Sequence, residues 1–266
     1  MKRRRNYLPL WTLLAVALAT VVAVSALGPL KIGPYELKDS GIFGALTQSR
    51  EAPAAIEPEI DMVADSIFNQ EPAKAAEIDT ASKRILFIGD SMLDGLYPRL
   101  AAYCQHNGHK LYAVIWYSST SEIWGRSGRL GQYIGKLKPD YIFICLGANE
   151  LFVKDVAAKR DRHVKALLAE IGEIPYLWIG PPNWKSDTGI NSLIASNALP
   201  GSFFLSDGMQ FERAKDGAHP TKASAYRWMD SVVSWMPANH PHPIRLERPP
   251  MESARASKVY VHQPDE

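Results

Sequence analysis

Four short polar clusters hold the residue types that acyl chemistry requires. Residues 85–95 read ILFIGDSMLDG, so an apolar run ends in Gly89, Asp90 and Ser91; the others are SSTSEIW (118–124), GANE (147–150) and DGAHP (216–220). A serine hydroxyl is a poor nucleophile until a base accepts its proton, and histidine titrates ordinarily near neutrality. That histidine needs a carboxylate to fix its tautomer and to stabilise the imidazolium. Asp216 and His219, three residues apart, can meet this need within one turn of backbone. The tetrahedral intermediate then needs hydrogen-bond donors for its oxyanion. The Ser91 N–H at a helix start and the Asn149 side-chain amide can provide them.

Each residue also has a plainer reading. Ser91 can be a helix N-cap, Asn149 a turn residue, Asp216-Gly217 an ordinary turn and His219 a surface histidine. The combination favours catalysis, because the first three clusters follow apolar runs and the last precedes a helix. In an open parallel sheet, ligands bind beyond the carboxyl ends of the strands.

The elements that must position these residues alternate. Apolar runs at 84–89, 110–117, 141–147, 175–182 and 202–207 are too short for helices and read as buried strands. Helical spacing is predicted over 93–109, 128–140, 155–172, 191–199 and 221–236, with Asn107-Gly108 and Pro139 as stops. The pattern predicts an α/β fold with a mostly parallel five-stranded sheet under helices on both faces.

The flanks differ in character. Lys2, Arg3, Arg4 and Arg5 precede residues 8–27, which carry no charge and are long enough to span a bilayer. Residues 1–28 therefore read as an uncleaved signal anchor or, given Val24-Ser25-Ala26, a cleaved signal peptide. Either places the main domain outside the cytoplasm, in the periplasm if the membrane is a cell inner membrane. Residues 29–82 read as an acidic Ala/Pro-rich linker, with eight acidic residues against one lysine over 51–80. The catalytic domain is expected over 83–238, and 239–266 read as a surface-bound or disordered tail.

Several chemistries are disfavoured. The net charge is +2, and no interior basic cluster interleaves with aromatics, so nucleic acid is not an expected partner. GRLGQYIGK lacks Walker spacing, and no His-Glu-x-x-His occurs. His106 and His109 flank a helix exit, where they suit the C-terminal dipole. Cys104 and Cys145 read as unpaired, buried thiols. Most of Trp116, Trp124, Trp178 and Trp184 read as core, with Trp124 and Trp184 as loop candidates for a sugar-stacking wall. Glu150 is either a surface carboxylate or an orienter of a substrate hydroxyl.

FIGDSM, LGANE and DGAHPT together resemble blocks of the SGNH hydrolases, the GDSL-type esterase superfamily, over about residues 83–236. The resemblance implies a flavodoxin-like three-layer fold, no metal and no organic cofactor. It implies Ser91 as nucleophile, Asp216 and His219 as its partners, and Asn149 as oxyanion donor. Methionine at Met92 and glutamate at Glu150 depart from the usual leucine and aspartate. So does the second block, where the family has a glycine N–H. Its place falls near Thr120, with Ser119 as neighbour, while Gly125 lies too far on. Similar Ser-Thr blocks occur in a bacterial extracytoplasmic branch. The implied activity is hydrolysis of small acyl esters, with O-acetyl groups of an envelope or exported polysaccharide as the expected substrate. The alternative is O-acetyl transfer to a glycan with a multipass membrane acyltransferase as partner.

Overall fold

Side chains along the central strands alternate in direction, and the two sets fill two separate cores. In β3 (Arg84–Gly89), Ile85 and Phe87 face one layer while Leu86 and Ile88 face the other. β5 (Tyr141–Cys145) repeats this, with Phe143 on the first side and Ile142 and Ile144 on the second. Because both faces are buried, these strands read as continuous apolar runs.

The computed structural model describes residues 30–32, 35–37 and 76–264. The chain divides into two units, 1–68 and 69–266. In the first, β1 (Leu30–Ile32) and β2 (Tyr35–Leu37) form an antiparallel pair inside the segment read as linker. The expected anchor at 1–28 and most of that linker lie outside the described residues. Among the described residues, no helix is long and apolar enough to cross a membrane.

The second unit contains a six-stranded, wholly parallel sheet in the order β7-β6-β5-β3-β4-β8. Its other strands are β4 (Lys110–Trp116), β6 (Tyr176–Ile179), β7 (Phe203–Phe204) and β8 (Lys258–His262). The first five in sequence have the flavodoxin-like arrangement, with the strand order reversing between β3 and β5. α1 (Leu93–His106) and α6 (Lys222–Asn239) cover one face. α2 (Ser121–Ser127), α3 (Arg129–Leu137), α4 (Val156–Ile171) and α5 (Ile190–Asn197) cover the other.

One expectation is corrected. The sheet has six strands rather than five, because β8 pairs with β4 through the register Tyr112↔Lys258 to Trp116↔His262. The tail, read as surface-bound or disordered, is held against the domain along its length. Asn107 exchanges hydrogen bonds with Glu247, the Ala254 N–H donates to the Pro98 carbonyl, and Ile244 is buried. The stretch 118–127 is also more regular than expected, since α2 occupies most of it. Gly125 allows α2 to seat on α4: a Cβ there would lie 2.4 Å from the His163 carbonyl oxygen.

Candidate active site

Ser91 stands where β3 turns into α1, and it does not cap the helix. Asp90 holds that turn instead: its Oδ1 accepts the Met92 N–H at 2.9 Å and its carbonyl accepts the Leu93 N–H at 3.2 Å. The Ser91 Oγ points away from the helix and lies 2.8 Å from His219 Nε2. The strand end is also constrained, because a Cβ on Gly89 would meet the Cys145 carbonyl oxygen at 2.4 Å. A glycine therefore lets β3 and β5 approach closely just before the serine.

His219 and Asp216 occupy the loop before α6. Asp216 Oδ1 accepts the backbone N–H groups of Ala218 and His219 at 2.8 and 2.9 Å. Its Oδ2 accepts from His219 Nδ1 at 2.8 Å. The two amide donors, then the imidazole, hold the Asp216 carboxyl down to about 2, so it is ionised at neutral pH. Since Nδ1–H donates to the carboxylate, Nε2 is left as the acceptor facing the serine hydroxyl. Arg213 steadies this loop by donating to the carbonyls of Ala218 and Pro182. The structure thus brings Ser91, His219 and Asp216 into one hydrogen-bonded chain.

Asn149 follows β5, across the switch point from Ser91. Its Nδ2 donates one hydrogen to the Ser119 carbonyl at 2.9 Å. Thr120 is the N-cap of α2, where its Oγ1 accepts the Ile123 N–H at 3.3 Å. Ser118, at φ 59°, makes the left-handed turn that leads into this segment. A trans peptide holds its N–H antiparallel to its carbonyl, so the Thr120 N–H points away from the oxygen that Asn149 grips.

Glu150 has no exposed surface, and so is neither the surface carboxylate nor the substrate orienter expected from sequence. Its Oε1 accepts both the N–H and the hydroxyl of Ser121, and Arg160 Nε lies 3.5 Å away. Burial raises its pKa against those favourable contacts. Burial likewise raises Asp90 to about 7, helped by the nearby Glu150 charge. No pattern in the sequence distinguishes these two carboxyls from solvated ones.

The tryptophans divide differently from expectation. Trp124 is fully buried in α2, edge-on to Trp116 at 5.4 Å, and is core rather than a sugar wall. Trp184 is partly buried, donates to the Ala148 carbonyl at 3.0 Å and has the exposed Phe152 ring 6.2 Å away. His109 serves no charged dipole contact: buried, it accepts from the Lys83 N–H and meets the Arg245 carbonyl. Both cysteines are buried and unpaired.

Beside Ser91 a cleft of about 600 Å³ opens between α1 and α6, walled by Tyr97, Tyr117 and Tyr226. Sequence reasoning did not mark these tyrosines, since only the fold draws 97, 117 and 226 together.

Neither a protein-family model nor a curated sequence matches the chain. Solved structures similar in fold include an acetyl esterase mutant with acetate ion (13% identity, 57% of this chain and 97% of that one, TM-score 0.43). A lipase/acylhydrolase from Enterococcus faecalis gives 16% identity, 59% and 98% coverage and a TM-score of 0.42. A salicylyl-acyltransferase from a tetracycline biosynthetic pathway gives 15% identity, 59% and 55% coverage and a TM-score of 0.44. At such distances the likeness concerns fold alone, and the chemistry must rest on the residues.

Proposed function

We propose that the chain is a serine esterase that hydrolyses small acyl esters, O-acetyl groups of an envelope or exported polysaccharide being its substrate class. One observation carries this reading: Ser91 Oγ, the His219 imidazole and the Asp216 carboxylate form an unbroken hydrogen-bonded line at the carboxyl edge of the sheet.

In the proposed reaction Ser91 Oγ attacks the ester carbonyl carbon as His219 Nε2 takes the hydroxyl proton. Asp216 stabilises the resulting imidazolium. When the tetrahedral adduct collapses, the bond to the alcohol oxygen breaks and the imidazolium returns the proton to that oxygen. Water, deprotonated by the same nitrogen, then releases the acid and restores the serine.

The oxyanion is assigned to three donors: the Ser91 N–H, the second hydrogen of the Asn149 amide, and the Thr120 N–H. A backbone donor needs no particular side chain, so threonine can stand where a glycine is usual.

Acyl transfer to a glycan hydroxyl, with a multipass membrane acyltransferase as donor, is the second reading. The open cleft beside Ser91 supports it, having room for an alcohol other than water. Attachment to a cell inner membrane by 1–28, with the catalytic domain in the periplasm, rests on the charged start and uncharged run at 2–27.

The test is p-nitrophenyl acetate turnover by the purified full chain against Ser91→Ala. Loss of at least ~10³-fold supports the nucleophile. Equal rates in two folded proteins would sink it. Faster acyl consumption on adding a glycan acceptor would favour transfer over hydrolysis.

A further inference from the structure

The catalytic cleft does not end at the tyrosines. Lys222 and Tyr226, which line it beside Ser91 and His219, also line a second cavity of about 450 Å³ further along α6. The two cavities therefore share a wall. Positions 222, 226 and 230 follow one another on one side of α6. At the rise of an α-helix this stripe is about 12 Å long, too long for one acetyl group and its oxygen.

The second cavity has a distinct charge. Four cations, Arg99, Lys222, Arg227 and Arg248, face two carboxylates, Asp230 and Glu252. Asp230 is already committed: its Oδ1 accepts from Arg99 Nε at 2.6 Å and from the Tyr103 hydroxyl at 2.9 Å. Arg99 is buried, and its Nη1 donates to the carbonyls of Met251 and Glu252. Arg99 and Asp230 thus largely satisfy one another, and Lys222, Arg227 and Arg248 are left facing solvent with only Glu252 and the second Asp230 oxygen as counter-charge.

Those three cations are weakly held. Among the described residues Arg227 donates only to the Ser224 hydroxyl, and Lys222 lies 5.4 Å from the Tyr226 ring centre. Arg248 is 79% exposed and stands 3.6 Å from the Asp230 carboxylate that Arg99 already neutralises. Neither Lys222 nor Arg227 forms an ion pair among the described residues. Uncompensated cations around a concave surface favour an anion.

We propose that this second cavity is a subsite for an anionic group, a carboxylate or phosphate, on the glycan chain whose ester reaches Ser91. The substrate class is then an acylated acidic polysaccharide, lying along α6 with its ester in the tyrosine-walled cleft and a neighbouring acidic unit between Arg227 and Arg248. The inference rests on the esterase reading for the ester, but the subsite itself is testable without turnover.

The experiment uses the full chain as Ser91→Ala, so that no ester is consumed, and measures binding by calorimetry at low and high salt. The probes are polygalacturonate, dextran phosphate, neutral dextran and single-stranded DNA. Binding of a polyanionic glycan, weakened by salt and roughly tenfold by Arg227→Glu/Arg248→Glu, is expected, while dextran stays unbound. The stronger of the two anionic glycans identifies the acidic group. Lys222→Glu is the second variant should the double variant fail to fold. Equal binding of dextran, a preference for DNA, or affinity indifferent to these variants overturns the subsite. Turnover of p-nitrophenyl acetate by wild type reports the esterase reading separately.

Discussion

Glu150, in the loop after β5, reaches Ser121 in the first turn of α2, where one carboxylate oxygen accepts the Ser121 N–H at 2.8 Å and its hydroxyl as well. Its neighbour Asn149 grips the Ser119 carbonyl on the other side. Thr120 lies between the two attachments. Two consecutive residues of one loop thereby fix the orientation of a peptide in another. In the proposed reaction such rigidity would serve the Thr120 N–H, because oxyanion donors stabilise charge best when no reorganisation accompanies the reaction.

Removing the outer attachment should loosen the Thr120 peptide without touching the triad. Glu150→Ala leaves the Ser121 N–H without its acceptor, a cost of about 1–3 kcal/mol in stability. We expect kcat on p-nitrophenyl acetate to fall roughly tenfold with KM little changed, as for an interaction made chiefly in the transition state. Glu150→Gln keeps one acceptor oxygen and should recover most of that loss. Wild-type kcat in a folded Glu150→Ala protein would show that the clamp serves stability alone.

In the proposed reaction Asn149 has a double duty, gripping Ser119 and offering its second hydrogen to the oxyanion. Asn149→Ala should lower kcat by ~10²–10³-fold, the usual effect of losing one oxyanion donor. Asn149→Asp presents no hydrogen to either partner and places a negative charge where the oxyanion forms, so it should be worse than alanine. Steady-state kinetics on folded protein checks both, and activity in Asn149→Asp equal to wild type would remove this residue from the site.

What could be read in the sequence follows from which physical signals are local. Ser91, Asp216 and His219 were legible because their side-chain chemistry is specific and because Asp216 and His219 lie on one loop. The five apolar strands were legible because both faces are buried and no polar alternation interrupts them. β8 was not: KVYVH is short and half-exposed, and its place beside β4 depends on contacts made by Asn107, Pro98 and Leu111 far away in sequence. α2 was hidden because SEIWGRS offers two large apolar residues and a glycine, and only the Thr120 cap marks its start. The role of Glu150 was equally invisible, since burial of a carboxylate is a property of the fold.

The tail should prove structural. Truncation after residue 256 removes β8, and with it the His262 carbonyl that accepts the Tyr117 N–H and the Gln263 carbonyl that accepts from Trp116. The edge of β4 then presents unpaired backbone groups, a template for association with another chain. Lower thermal stability and a shift to larger species in light scattering are expected. Because Tyr117 walls the catalytic cleft, KM should rise as well. A monomeric truncation as stable as the full chain would show that these residues add nothing to the fold.

Asp90 makes stability depend on pH with a predictable sign. Its carboxyl titrates ordinarily at 3.8 but at about 7 in the fold, mainly because it is buried, and its Oδ2 has no hydrogen-bond partner among the described residues. Below 3.8 the group is protonated in both states. Between 3.8 and about 7 the folded chain keeps a proton that the unfolded chain has lost, so stability declines as pH rises. Above about 7 the deficit is constant. Asp216 acts in the opposite sense and in a different range: lowered to about 2, it contributes stability above 3.8 that is lost as pH falls through 2. Glu150, also raised, adds to the downward slope from its own ordinary value of 4.5. Asp90→Asn keeps an oxygen for the Met92 N–H while removing the titration. It should therefore flatten the decline and raise stability on the alkaline side by the order of 1–4 kcal/mol relative to wild type. Urea unfolding across this pH range measures the slope. An identical slope in both proteins would show that Asp90 titrates alike in the folded and unfolded chain.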